Sequence, residues 1–118
     1  MSVGADIKGF VEGSRWATVM FEKFIERVEE KGFDVRRVGG DGCLLLLVKR
    51  GEKAVLVGVY KGEYRGLYAK ISLLEHVPAT YWSCDNLVYV PHGLYTFADD
   101  EVRLADQAVE KIAKLIRV

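Results

Sequence analysis

The segment from Tyr60 to Lys70 combines tyrosines, cations and glycines in the sequence YKGEYRGLYAK. Lysine and arginine side chains neutralise phosphates, and tyrosine rings stack on unpaired bases. Glycines allow a ligand to approach the backbone closely. The segment is therefore compatible with nucleic-acid contact, and the structural alternative is an ordinary loop leading into an amphipathic helix whose cations are only solvated.

Charge is distributed unevenly along the chain, although 17 basic and 17 acidic residues give a net charge of zero. Residues 34–70 carry a net charge of +4, whereas residues 1–33 carry −1 and residues 71–118 carry −3. A local excess of cations is the electrostatic footprint of a nucleic-acid surface. The candidate nucleic-acid contacts are Arg36, Arg37, Lys61, Tyr64, Arg65 and Lys70.

Hydrophobic periodicity predicts the elements that position these side chains. Apolar residues at helical spacing predict a first and a last helix, and continuous apolar runs predict buried strands. The predicted elements are a helix at Ser14–Lys31, strands at Phe33–Val38, Cys43–Lys49 and Ala54–Tyr60, a helix at Leu67–His76, strands at Asp85–Val90 and Leu94–Phe97, and a helix that starts near Asp99 and Asp100. This order predicts one α/β domain over residues 1–118, with helices flanking a central mixed five-stranded sheet.

Composition is that of a globular domain, because 50% of the 118 residues are hydrophobic and 29% are charged. The sequence has neither a signal-peptide pattern nor an apolar run long enough to span a membrane, so we expect a cytoplasmic protein without membrane partners. Only one asparagine and one glutamine occur, and depletion of these amides is typical of thermophilic proteins.

The two cysteines, Cys43 and Cys84, fit two structural roles. Small buried apolar side chains are the first interpretation. A disulfide is the alternative, since intracellular proteins of hyperthermophiles form them. With His76 and His92, the cysteines lack the spacing of a zinc site, and no phosphate-binding or dinucleotide-binding motif is present. We therefore expect no metal and no cofactor.

The stretch from Phe21 to Lys61 resembles the archaeal Holliday junction resolvases, which belong to the restriction-endonuclease-like superfamily. The resemblance rests on a helix that ends Glu-Glu-Lys-Gly-Phe at Phe33, the apolar strand Leu44–Val48, a basic turn and the strand Val55–Val59. It implies a restriction-endonuclease-like fold of the order α-βββ-α-ββ-α. It also implies a homodimer, or a heteromer with an active relative.

The resemblance also shows which catalytic groups are missing. The superfamily holds a divalent metal with an acid on the second strand and an acid-x-lysine on the third. Ungapped placement puts Leu45, Gly58 and Tyr60 at these positions, and Phe21, with Glu22 beside it, at the helix acid. We therefore predict no catalytic residues and a non-catalytic nucleic-acid-binding or assembly module, with branched DNA or structured RNA as its ligand.

Three alternatives remain open. The chain also resembles the non-cutting subunit of archaeal tRNA-splicing endonucleases, whose domain has the same fold. An active nuclease with a rearranged metal site would use Asp41, Lys61 and Glu63. A protein-interaction subunit that binds no nucleic acid is compatible with the zero net charge.

Overall fold

A computed structural model of the chain describes residues 21–39, 42–62 and 66–116. Helices lie near both ends of the described region, and strands lie between them. The elements are α1 (Glu22–Glu30), β1 (Asp34–Gly39), β2 (Leu44–Arg50), β3 (Lys53–Lys61), β4 (Leu67–Leu73), 3₁₀ turns at Leu74–His76 and Ala79–Tyr81, α2 (Cys84–Leu87), β5 (Leu94–Ala98) and α3 (Glu101–Ile116).

The strands form one five-stranded sheet in the order β1-β2-β3-β4-β5. Every neighbouring pair is antiparallel. A two-residue turn joins β2 to β3, and Gly51 takes a left-handed φ of 66° there, which glycine adopts without strain. The α/β class and the number of strands agree with the sequence prediction, but the mixed sheet was wrong. Consecutive strands pair directly, so the described sheet contains no parallel crossover.

One face of the sheet packs against α1 and α3. Successive strand residues point to opposite faces, so alternate residues such as Leu46, Val57 and Ile71 enter one core. Phe24 of α1 and Leu104 of α3 complete it from the helices, and both are fully buried. Asp100 caps α3, because its Oδ1 accepts a hydrogen bond from the Arg103 N–H at 2.8 Å. The predicted last helix is therefore confirmed.

The opposite face, called the outer face below, is partly covered by residues 74–93, called the cover segment. A second apolar cluster joins Val77, Leu87 and Val90 of this segment to Leu45 and Leu56 of the sheet. The cover segment lies over the side of the outer face nearer β2 and β3. The cover segment also reaches β4, where Lys70 and Ser72 are buried, and the open part of the outer face lies at Tyr95 and Phe97.

Two predicted elements were wrong. The predicted helix Leu67–His76 is β4 followed by a 3₁₀ turn, because Leu67, Ala69 and Ile71 alternate into the core between β3 and β5. The predicted strand Asp85–Val90 is mostly α2 and a turn, since Ser83 Oγ caps a short helix by accepting from the Asn86 N–H.

The other predicted strands are present as β1, β2, β3 and β5. Of the predicted first helix, the described part is α1. Its predicted start at Ser14 lies outside the described residues.

Candidate nucleic-acid interface

Four aromatic rings lie together on the outer face, and we call them the aromatic surface: Tyr60, Tyr68, Tyr95 and Phe97. Sheet register brings them together, because Tyr68 pairs with Tyr60 on one side and with Phe97 on the other. Tyr95 lies two residues before Phe97 and therefore points to the same face. The rings thus occupy three neighbouring strands.

The rings contact one another in a continuous chain. Tyr60 and Tyr68 are stacked, with centroids 4.8 Å apart and planes 9° apart. The Tyr68 centroid lies 5.8 Å from that of Phe97, and the Tyr95 and Phe97 rings stack at 6.2 Å. These separations are in the range in which aromatic pairs attract each other. The surface is a pre-formed platform that a ligand does not need to assemble.

Exposure increases across the platform from β3 to β5. Tyr60 is 8% exposed, whereas Tyr95 is 40% and Phe97 is 66% exposed. Burial raises the pKa of the Tyr60 phenol, and it also raises the pKa of Tyr95. Both phenols are neutral at physiological pH, so they present ring faces without repelling an anionic ligand. The open end of the platform is therefore on β5.

The cover segment fixes the tyrosines through its backbone carbonyls. Tyr60 Oη donates to the Cys84 carbonyl oxygen at 2.9 Å, and Tyr95 Oη donates to that of Val88 at 3.0 Å. Cys84 is also joined to Cys43 by a disulfide, with Cα atoms 5.9 Å apart. The structure thus has the disulfide that the sequence offered as the alternative, and the first interpretation, two separate buried thiols, was wrong. Sheet and cover segment are linked at the edge of the aromatic surface.

Lys70 is buried beneath the cover segment, with only 3% of its surface exposed. Its Nζ donates to the carbonyl oxygens of Val88 at 3.2 Å and Val90 at 2.8 Å, and it lies 4.7 Å from the Tyr95 ring centroid. Burial lowers the pKa of this amine. The expectation that Lys70 lies on an amphipathic helix was wrong, and its amine orders the cover segment instead of facing solvent.

The positions matched to the catalytic groups of the resolvases are structural here. Leu45 and Gly58 are neighbours in the β2–β3 register, and both are buried on the outer face. A Cβ at Gly58 would lie 2.7 Å from the Tyr60 hydroxyl oxygen and 2.9 Å from Leu87 Cδ2. Gly58 is therefore required because Tyr60 and the cover segment pack across it. Phe21, at the helix-acid position, is fully buried in the main core.

The remaining predicted contacts are separated from one another. Arg36 and Arg37 are exposed on β1, at the opposite edge of the sheet from β5, and Arg37 Nε donates to the Gly39 carbonyl oxygen at 3.4 Å. Lys61 is exposed at the end of β3. It follows Tyr60 in the strand and so belongs to the other face, as the alternation of side chains predicts.

Several residues named from the sequence lie outside the described part of the chain: Tyr64, Arg65, Asp41 and Glu63. Within the part that is described, no group of three or more His, Cys, Asp or Glu residues is placed to hold a metal ion. The His76 and His92 rings are 5.9 Å apart, on the exposed side of the cover segment. No helix among these residues has the length and apolar character needed to cross a membrane.

The sequence interpretation missed Tyr95 and Phe97. Both belong to the short strand Leu94–Phe97, which the sequence predicts, and strand alternation places them on one face. That signal was present, but it does not say which strands lie beside β5. Tyr68 was included in the tyrosine-rich segment, although without its pairing partners.

Comparisons with known proteins do not identify a relative. No protein-family model, no curated protein and no solved structure gives a significant match to this chain.

Proposed function

We propose that this chain is a non-catalytic nucleic-acid-binding module that holds unpaired bases on its aromatic surface. The observation that carries the proposal is the continuous row of rings on three neighbouring strands, with its exposed end at Phe97. Antiparallel sheets with exposed aromatic rings bind single-stranded nucleic acids by stacking, because every base has a π-face. Such stacking tolerates many sequences.

Charge near the platform supports the same ligand class. An open cavity of about 460 Å³ lies at the ends of β4 and β5. Tyr68, Phe97 and Arg103 contribute to its wall. A guanidinium beside aromatic groups suits a nucleotide, whose base stacks while its phosphate pairs with the cation. Lys61 is a second exposed cation at the end of β3, on the face of the sheet opposite the rings.

We also propose, from the sequence resemblance to the resolvases, that the chain descends from a nuclease. A nuclease-like ancestor that lost its metal-binding acids would keep a scaffold and a nucleic-acid surface, and it would act as a homodimer or beside an active relative. The described sheet is antiparallel and not the mixed sheet expected of that superfamily, which weighs against this ancestry. The proposed binding rests on the aromatic surface alone. Unpaired regions of branched DNA and of structured RNA both present the bases that the platform would stack.

Fluorescence anisotropy with labelled single strands of DNA and RNA tests the proposal. At low salt we expect the single strands to bind more tightly than a blunt duplex. We expect Phe97→Ala to weaken binding roughly tenfold to a hundredfold, because stacking contributes about 1–3 kcal/mol per base. Phe97→Tyr should retain binding, whereas Phe97→Leu should lose it, which separates stacking from general apolar contact.

One variant is a control and a second variant tests the electrostatic contribution. Val102→Ala removes another exposed apolar side chain, on α3, and should leave affinity unchanged. Lys61→Ala should flatten the salt dependence by about one unit for each phosphate that the lysine neutralises. The proposal fails if none of the nucleic acids binds at low salt, or if Phe97→Ala binds as tightly as the unmodified chain while its circular dichroism spectrum is unchanged.

A further inference from the structure

The two edges of the sheet are built differently. β1 carries the exposed charged residues Asp34, Arg36 and Arg37, and its pairing with β2 shifts in register between Arg37 and Gly39. Charges and bulges on an edge strand prevent it from pairing with other chains. β5 has neither: its sequence is LYTFA, and its register with β4 is continuous. Only one edge of the sheet is protected against strand addition.

The outer edge of β5 is the unprotected edge. Across the described ranges, β5 pairs with β4 and with no other strand. Its outer backbone donors and acceptors therefore lack a strand partner in that part of the chain. Tyr95 and Phe97 stand on one face beside this edge, and both are exposed. An added strand would gain main-chain hydrogen bonds and aromatic contacts together.

Helix α3 places two cations, Arg103 and Lys111, on the other side of this edge, and the carboxylate of Asp99 lies near Arg103 where β5 ends. Thr96 Oγ1 donates a hydrogen bond to Gln107 Oε1, so Gln107 lies next to β5. Arg103 lies one turn before Gln107 and Lys111 one turn after it, which places both on the same side of the helix. Asp106 pairs with Arg27 of α1 at 2.8 Å, so its carboxylate points to α1 and away from the β5 edge.

A second copy of the chain fits this edge poorly. Helix α3 packs under β4 and β5, and paired strands lie about 4.8 Å apart. Symmetric pairing of two β5 strands would thus place the two α3 helices about 10 Å apart, which is ordinary helix-packing distance. Their cationic sides, with Arg103 and Lys111, would then face each other. The repulsion favours an acidic partner over a second copy.

We propose that the free edge of β5 binds an extended segment of a partner protein in which acidic and apolar residues alternate. Side chains of an added strand point to opposite faces in turn. One set would contact Tyr95 and Phe97, and the other set would lie beside Arg103 and Lys111. The proposal shares Tyr95, Phe97 and Arg103 with the nucleic-acid surface, and it adds the main-chain hydrogen bonds of the β5 edge and the charge of Lys111. Protection of the β5 amides by the peptide therefore tests it separately from stacking of bases on the rings.

A synthetic peptide of alternating glutamate and valine, about ten residues long, is the probe, because it spans the five residues of β5 with a margin at each end. Its control is a peptide of the same composition with all glutamates placed before all valines. We expect the alternating peptide to bind the full chain at least about tenfold more tightly in anisotropy titrations. Hydrogen exchange should show new protection of those amides of residues 94–98 that point away from β4.

Charge reversal identifies the acidic set. Arg103→Glu and Lys111→Glu should each weaken the alternating peptide about fivefold, since reversal replaces an attraction with a repulsion. The double variant should instead prefer an alternating lysine–valine peptide. Lys49→Glu, which reverses an exposed cation on β2, is the matched control and should change neither affinity.

Three results would overturn the proposal. The first is equal binding of the alternating and block peptides, or binding of neither. The second is binding without protection of the β5 amides, or binding that ignores the reversals on α3. The third is a dimer of the unmodified chain in light scattering whose outward-pointing β5 amides are protected without peptide, which would assign the edge to a second copy.

Discussion

Reduction of the Cys43–Cys84 disulfide should lower the free energy of unfolding by about 4 kcal/mol. The two cysteines are separated by 41 residues in the sequence. Closing a loop of that length removes about 13 cal/mol/K of chain entropy from the unfolded state, which corresponds to about 4 kcal/mol at 25 °C. For a domain of 118 residues, this is a fall of about 16 °C in Tm.

Denaturant titrations with and without a dithiol reductant measure the effect. The control is the variant with both Cys43→Ala and Cys84→Ala, which should unfold like the reduced chain and should not respond to reductant. Thiol titration of the unmodified chain under denaturing conditions should detect no free thiol before reduction and one pair after it. Titrations at several reductant concentrations should converge on one midpoint.

Two results would refute this reasoning. Free thiols in the unreduced chain would show that Cys43 and Cys84 are separate buried side chains, as the first sequence interpretation had it. A reduction effect below about 1 kcal/mol would show that the unfolded chain is already restricted, or that contacts of Leu87 and Val90 hold the cover segment without the disulfide.

Further predictions concern packing and ionisation. Gly58→Ala should cost about 1–3 kcal/mol in denaturant titrations, because its Cβ would lie 2.7 Å from a tyrosine oxygen, whereas Gly39→Ala meets its nearest neighbour at 3.5 Å and should be tolerated. The lowered pKa of Lys70 means that the unfolded chain binds the proton more tightly, so stability should rise with pH as the pH approaches 10.5, and this rise should be absent in Lys70→Met. Since Arg27 lowers the pKa of Asp106, the stabilisation from this half-buried pair should be lost as the pH falls through the Asp106 pKa, and a double-mutant cycle should give a favourable coupling at neutral pH and none in acid. A coupling that persists in acid would contradict the ion-pair assignment.

Local sequence determined the elements whose apolar spacing, turn residues and caps all indicate the same structure. The β2–β3 hairpin follows from two apolar runs around a turn at Gly51, and α3 follows from its apolar spacing and its cap at Asp100. In each case the hydrogen bonds join residues that are close in sequence or meet across a short turn. Neighbouring residues therefore contain the information that specifies these elements.

Tertiary structure decided the elements with ambiguous signals. In Leu67–Leu73, the apolar residues fit both helical and strand spacing. The strand forms because β3 would otherwise have an unpaired edge, and β4 pairs with it there. Burial of Lys70 follows from this strand, because the cover segment places two carbonyl oxygens within reach of its amine. A lysine in a soluble sequence is otherwise expected at the surface.

The aromatic surface is the clearest case of information that lies outside local sequence. The tyrosine-rich segment containing Tyr60 and Tyr68 is visible in the sequence, and so is the strand containing Tyr95 and Phe97. Their meeting depends on the register of three strands, and a shift of one residue would turn either set to the opposite face. That register is fixed by which alternate residues enter the core with α1 and α3, so only the packed sheet could place the rings together.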